Sequence, residues 1–122
     1  MYGPMNPSKR AVIACLQQYG ERFDSLVRMA SQQPLTVENK AELRESFRSL
    51  KADMEKQYKS LVTAARRGAS TQAEVTCLLP AIEQSLTLLP MRANADPSSK
   101  LWREQLASAD RAIKSMLARL VE

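Results

Sequence analysis

The chain contains no histidine. That removes every His-based catalytic triad, every histidine metal site and every imidazole acid–base scheme. Its two cysteines, Cys15 and Cys77, are too few for a disulfide scaffold. Three glycines stand apart at positions 3, 20 and 68, so no glycine-rich loop can cradle a phosphate. No apolar run approaches the ~18 residues that span a bilayer. Residues Met1 to Ser8 lack the charged start and apolar stretch of a secretory leader. With two cysteines and no export signal, a reducing cytoplasm is the expected compartment, and no membrane partner is expected.

What remains is a chain of 122 residues rich in Ala, Leu, Gln, Arg and Lys, with a net charge of +5. Few glycines and few β-branched residues argue for an all-α fold. The length suits one domain with a real core. Residues 1–7, with Pro4 and Pro7, read as a disordered arm, and 8–122 as a single helical bundle.

Four amphipathic segments carry the fold. Helix 1 is expected from Ser8, as N-cap, to about Gln32 before Pro34. Val12, Leu16, Tyr19, Phe23, Leu26 and Ala30 recur at alternating spacings of 3 and 4, which makes one apolar stripe. Helix 2 is expected from its cap Thr36 to Arg67, with Gly68 as the residue that ends it. Its core face is Leu43, Phe47, Leu50, Met54, Tyr58, Leu61 and Ala65. Helix 3 opens on Thr71-Gln72-Ala73-Glu74, a capping box. Its stripe is Val75, Leu79, Ile82, Leu86 and Leu89. Pro80 interrupts this pattern, so a kink or break near Thr76 to Leu79 is expected. Helix 4 is expected to start at Asp96-Pro97, an N-cap followed by a first-turn proline, and to run to about Val121. Trp102, Leu106, Ala109, Ile113, Met116, Leu117 and Leu120 form its face, while Arg103, Glu104, Asp110, Arg111 and Lys114 point away. Short connections between helices 1–2 and 2–3 favour antiparallel neighbours. The expected architecture is an antiparallel up-down-up-down four-helix bundle with helix 3 kinked or broken at Pro80.

Sites for chemistry are scarce. Cys15 sits at the edge of the helix 1 stripe and reads as a small core residue. Cys77 falls opposite the helix 3 stripe, and nothing but its place in the first helical turns would lower its pKa. Every expected core position is apolar, Ala or Tyr, so no inward carboxylates converge on a metal. No enzyme activity, cofactor, metal or small-molecule substrate is expected.

Charge is unevenly spread. Residues 1–67 hold 12 basic and 7 acidic side chains, and residues 68–122 hold 6 of each. On helix 2, Lys40, Arg44, Lys51, Arg48, Lys59 and Arg66 share a strip of about 100° of helix circumference that flanks the core face. Glu38, Glu42, Glu45 and Asp53 gather on the far side. The strip would suit an anionic partner such as nucleic-acid phosphates. The plainer reading is a solvated flank in which Glu55 pairs with Lys51 and Lys59 at i±4, which weakens the case for phosphate. No exposed aromatic accompanies it for base stacking.

Helix 3 holds more leucine than one face requires. Leu78 and Leu88 lie off its stripe, and Met91 follows in the loop. These three are the candidates for partner contact. By elimination, the expected function is a non-enzymatic protein-interaction module, an adaptor, chaperone-like or regulatory protein, with self-association included. The alternative is a nucleic-acid-associated protein that uses the helix 2 strip.

Overall fold

The computed structural model describes residues 7–32, 34–92 and 95–121. Among them it shows helices and no strands. They are α1 (Pro7–Ala30), α2 (Val37–Arg66), a π-helical turn (Glu74–Leu78) leading into α3 (Leu79–Thr87), and α4 (Lys100–Val121). The expected arm 1–7 lies largely outside the described residues, and Pro7 already belongs to α1, so Ser8 is not its cap. A proline at the start of a helix sacrifices no hydrogen bond, because its N–H would have no intrahelical partner there.

The ends of α2 follow from local chemistry. The Thr36 hydroxyl accepts a hydrogen bond from the Asn39 amide at 3.0 Å. At the other end Gly68 has φ +67°, its amide donates to the Ala65 carbonyl, and Ala69 donates to Ala64. That pair of bonds is the Schellman arrangement, which needs a left-handed residue where Gly68 stands. The Thr71–Glu74 capping box closes at 2.9 Å from the Thr71 amide to the Glu74 carboxylate and 3.2 Å from the Glu74 amide to the Thr71 hydroxyl.

Two expectations about the second half of the chain need correction. First, α4 begins at Lys100, not at Asp96-Pro97. Asp96 instead accepts from the Ser98 amide at 2.9 Å and the Ser98 hydroxyl at 2.7 Å, which folds residues 96–99 into a turn. Ser99 does the capping: its hydroxyl accepts from the Trp102 amide at 3.1 Å. Pro97 is fully buried rather than placed in a helical first turn. Second, the helix 3 stripe is displaced. The buried residues are Leu78, Ala81, Ile82, Ser85 and Leu89, whereas Val75 is 41% exposed and Leu79 and Leu86 are half-buried. The one extra residue held in the π-turn shifts Val75 by about 100° relative to α3. Beyond it the buried line runs through Leu78, Ile82, Ser85 and Leu89 at ordinary helical spacing and leaves Leu79 and Leu86 on its flank.

The core joins all four helices. Leu16, Phe23, Leu43, Phe47, Leu50, Met54, Ile82, Leu106 and Ile113 are fully buried. Each such side chain contributes on the order of 1.5–3 kcal/mol relative to exposure. Phe47 of α2 and Trp102 of α4 meet edge-to-face, with ring centroids 5.4 Å apart. α1 packs chiefly on α4, and α3 packs on both α4 and α2. Gly20 is buried, yet a Cβ there would meet only Lys114 Cε at 3.9 Å, an ordinary contact.

Candidate partner-binding surfaces

Half of the helix 2 strip is committed to partners within the molecule. Arg44 Nε donates to the Ala95 carbonyl at 3.4 Å, and Lys51 Nζ donates to the Met91 carbonyl at 3.2 Å. Both are half-buried and tie the α3–α4 connection to α2. Lys40 and Arg44 also help to stabilise the Asp96 carboxylate. Its two hydrogen bonds from Ser98 are the larger reason that it titrates below the usual range. Arg48 pairs with Glu45 at 2.6 Å rather than facing outward alone. Lys59 and Arg66 remain exposed without an ion pair among the described residues, and the expected pairing of Glu55 with Lys51 or Lys59 is not formed there. Strip geometry was legible in the sequence. That half of it would be consumed by loop carbonyls and a neighbouring glutamate was not, because those partners are fixed by tertiary contact.

Of the three apolar candidates, two are closed off. Leu78 is 3% exposed and Met91 8% exposed, both packed in the core. Leu78 lies one turn before Ile82 and shares its buried face, and the Lys51 bond to the Met91 carbonyl holds Met91 against α2. Leu88 is half-buried against the core and lines a groove of about 320 Å³ between the end of α3 and the start of α4. Exposed Pro90 and Leu101 line the same groove, with Thr87, Glu104 and Gln105 as polar neighbours. Leu101 is 63% exposed, a costly position for a leucine unless something covers it. The sequence held the signal for Leu101, a leucine beside the Trp102 stripe but off it, and stripe-based reading passed over it.

Two polar clusters bind α1 to its neighbours. The Tyr19 hydroxyl donates to the Gln57 carbonyl oxygen, while the Gln57 amide nitrogen lies 3.2 Å from the Cys15 sulfur. Burial is the main cause that pushes the Tyr19 hydroxyl up to about 12, with the neighbouring Asp53 carboxylate adding to it. Burial likewise pushes the Cys15 thiol upward, with the Gln57 hydrogen bond opposing it. A thiol held protonated beside an amide is a poor nucleophile. Asp110, expected on the outer face, is instead buried at 8% exposure. Its Oδ2 accepts from Lys114 at 3.0 Å, and Lys114 also pairs with Asp24 of α1. Asp110 Oδ1 is buried with no hydrogen-bond partner among the described residues. Burial raises the Asp110 carboxyl against the opposing pull of Lys114. The Asp24 hydrogen bond is the main cause that raises the Lys114 ammonium. This cluster clasps α1 to α4.

Among the described residues no group of three or more Cys, Asp or Glu lies close enough to hold a metal ion. No described helix is long and apolar enough to cross a membrane. Comparison with protein-family models, with curated proteins and with solved structures returned no match.

Proposed function

We propose that this chain is a non-enzymatic, cytoplasmic helical interaction module, acting as an adaptor, chaperone-like or regulatory protein, and that it binds another protein chain through the α3–α4 groove. The observation that carries the reading is the grouping of Leu101, Pro90 and Leu88 across two helices. Single exposed apolar side chains are ordinary on any surface. A grouping that borders a groove and is rimmed by polar residues has the anatomy of a contact site. Self-association through the same groove belongs to this reading. The two cysteines are free, which suits a reducing compartment.

The scaffold in this proposal is an up-down-up-down bundle. Support comes from contacts whose numbering runs in opposite senses on paired helices. Tyr19 meets Gln57 while Arg22 meets Asp53 and Ser49. Ser85 donates to the Ala109 carbonyl, while Leu88 and Pro90 share a groove with Leu101 and Gln105. Lys51 reaches the Met91 carbonyl, while Tyr58 and Lys59 share a groove with Glu83 and Leu86.

The test is a photo-crosslinking residue placed at position 101 in cells, with the same residue at exposed Ala41 as reference. The reading expects a discrete protein adduct from position 101, lost when Leu88 is changed to Ser in the same chain. Sedimentation of the purified protein then shows whether the adduct is a second copy. Equal adduct patterns from positions 101 and 41 would sink the proposal.

A further inference from the structure

The basic excess of this protein is concentrated in three stretches of its sequence, bounded by Glu21, Glu55, Glu74, Asp110 and Glu122. Three stretches of sequence contain no carboxylate: 1–20, 56–73 and 111–121. The first holds Lys9 and Arg10. The second holds Lys56, Lys59, Arg66 and Arg67. The third holds Arg111, Lys114 and Arg119. By contrast, residues 21–55 carry six basic and seven acidic side chains, and residues 75–110 carry three and four.

The fold brings the first two of these stretches together and sets Lys114 of the third beside Gly20 at the end of the first. Ser8 and Cys15 of α1, Gln57 of α2, and Thr71 and Glu74 line one groove of about 430 Å³. The start of α1 and the last part of α2 therefore lie beside the turn that opens the third helical segment. Arg66 and Arg67 precede that turn by only a few residues. α4 starts beside the end of α3, at Leu88 and Leu101, and meets Gly20 and Asp24 through Lys114.

Most of these cations form no ion pair among the described residues, although Lys59 shares a groove with the carboxylates of Glu55 and Glu83. Among the described residues, Lys114 is the one member that forms ion pairs, with Asp24 and Asp110. Arg111 donates to the Ser108 hydroxyl at 3.1 Å. Glu74, the carboxylate at the turn after Arg66 and Arg67, is committed to its capping box. Arg10, Lys56, Lys59, Arg66, Arg67 and Arg119 are all exposed. Gathering like charge at one end destabilises the fold by self-repulsion and creates a positive field of several kT.

We propose that this basic end binds the sugar–phosphate backbone of a nucleic acid. The choice over a lipid surface rests on shape. Lys56, Lys59, Arg66 and Arg67 climb the flank of α2 over about 16 Å of helix. A flat bilayer meeting the end of the bundle would touch Arg66 and Arg67 and leave Lys56 and Lys59 out of reach. A polyanion lying along the flank reaches all four, since duplex DNA offers one negative charge per ~1.7 Å of axis. No aromatic side chain is exposed among the described residues, so the surface has no platform for base stacking and reads backbone, not sequence.

The test titrates a fluorescent random-sequence duplex, as DNA and as RNA, by anisotropy. Binding is expected with Kd on the order of 10⁻⁵ M near physiological salt, and it weakens roughly 10²–10³-fold between about 50 and about 200 mM salt, as release of four to six counterions requires. Arg66→Glu with Arg67→Glu weakens it about tenfold or more, and so does Lys56→Glu with Lys59→Glu. The second pair guards against any loss of the α2 C-terminus in the first. Arg28→Glu with Lys100→Glu makes the same charge change at the other end and leaves affinity within about twofold. Absence of binding at the lower salt overturns the proposal. So does an equal loss in the Arg28/Lys100 pair. Sedimentation with phosphatidylserine vesicles, but no complex with either duplex, assigns the end to lipid and likewise overturns it.

Discussion

The Leu79 amide donates to the Glu74 carbonyl, five residues back, immediately before Pro80. An α-helix would send that bond to Val75, four residues back. The wider turn ends where proline removes the next amide donor, and the helix continues through Thr87. Proline in an ordinary helix interior costs about 3 kcal/mol.

Pro80 is exposed and sits in the second residue of α3, directly after the π-turn. Replacing it with Ala is expected to change stability by less than about 1 kcal/mol, far short of the gain that relief of an interior proline would give. Urea denaturation measures this. A gain near the full proline penalty would mean that the π-turn does not accommodate the ring.

The two described glycines should respond to Ala in opposite ways. At Gly68 nothing lies within 4 Å of a new Cβ, but φ is +67°, so Gly68→Ala loses about 1–2 kcal/mol from backbone conformation alone. At Gly20 the helix is regular and the new methyl makes an ordinary contact with Lys114 Cε, so Gly20→Ala gains up to about 1 kcal/mol. Thermal melts should separate the pair by several degrees.

Removing the Lys114 ammonium leaves Asp110 buried without its counter-charge. Lys114→Met is expected to cost about 1–2 kcal/mol at neutral pH, less than for a fully buried pair because Lys114 and Asp24 are half-exposed. The folded-state pKa of Asp110 is raised above its ordinary 3.8. The folded form therefore holds that proton more tightly than the unfolded form does. Its favourable contribution is complete below the ordinary value and fades as pH rises through the folded one. Lys114→Met should accordingly regain part of its loss on acidification toward pH 4. Asp110→Asn in the same background removes that pH dependence.

Tyr19 sets a limit at the alkaline side. Its hydroxyl is pushed from 10 up to about 12, so the folded state favours the neutral phenol. Stability from this group is complete below the ordinary value and is lost as pH rises through the folded one. Urea stability should fall across that window in the native chain and fall less in Tyr19→Phe, which sacrifices the hydrogen bond to Gln57 for about 1 kcal/mol at neutral pH.

Lys51 should behave as a loop anchor. Lys51→Met removes its bond to the Met91 carbonyl while keeping the stem, with an expected cost of about 1 kcal/mol. Amide exchange should quicken around Met91 more than in α1. Unchanged exchange there would return Lys51 to the solvated flank.

What the sequence could and could not show divides by range. Thr36, Gly68 and the Thr71–Glu74 pair were legible because caps are made within four residues. The stripes of α1 and α2 were legible because unbroken α-helices keep their phase. Helix 3 was legible in part: one amide choosing Glu74 over Val75 turned Val75 away from the α3 face, and tertiary packing chose Leu78 and Ser85 over Leu79 and Leu86 as the buried edge of that face. The α4 start was misplaced because Asp96 closes a turn on Ser98 and leaves the capping to Ser99, while Pro97 is buried. The candidate surfaces depended on tertiary partners. Arg44 and Lys51 found carbonyls 40 or more residues away, and Leu78 and Met91 found the core.

The connection from α3 to α4 differs from an ordinary surface loop. Leu89, Met91 and Pro97 are buried, and Arg44 and Lys51 hold two of its carbonyls. The turn at Gly68 and Ala69 is exposed and held by backbone bonds of its own. For anyone re-engineering this chain, the two junctions are opposites. New termini or an inserted reporter belong just after Ala69, where few contacts cross. The same insertion at Met91 would pull the floor out from under the α3–α4 groove.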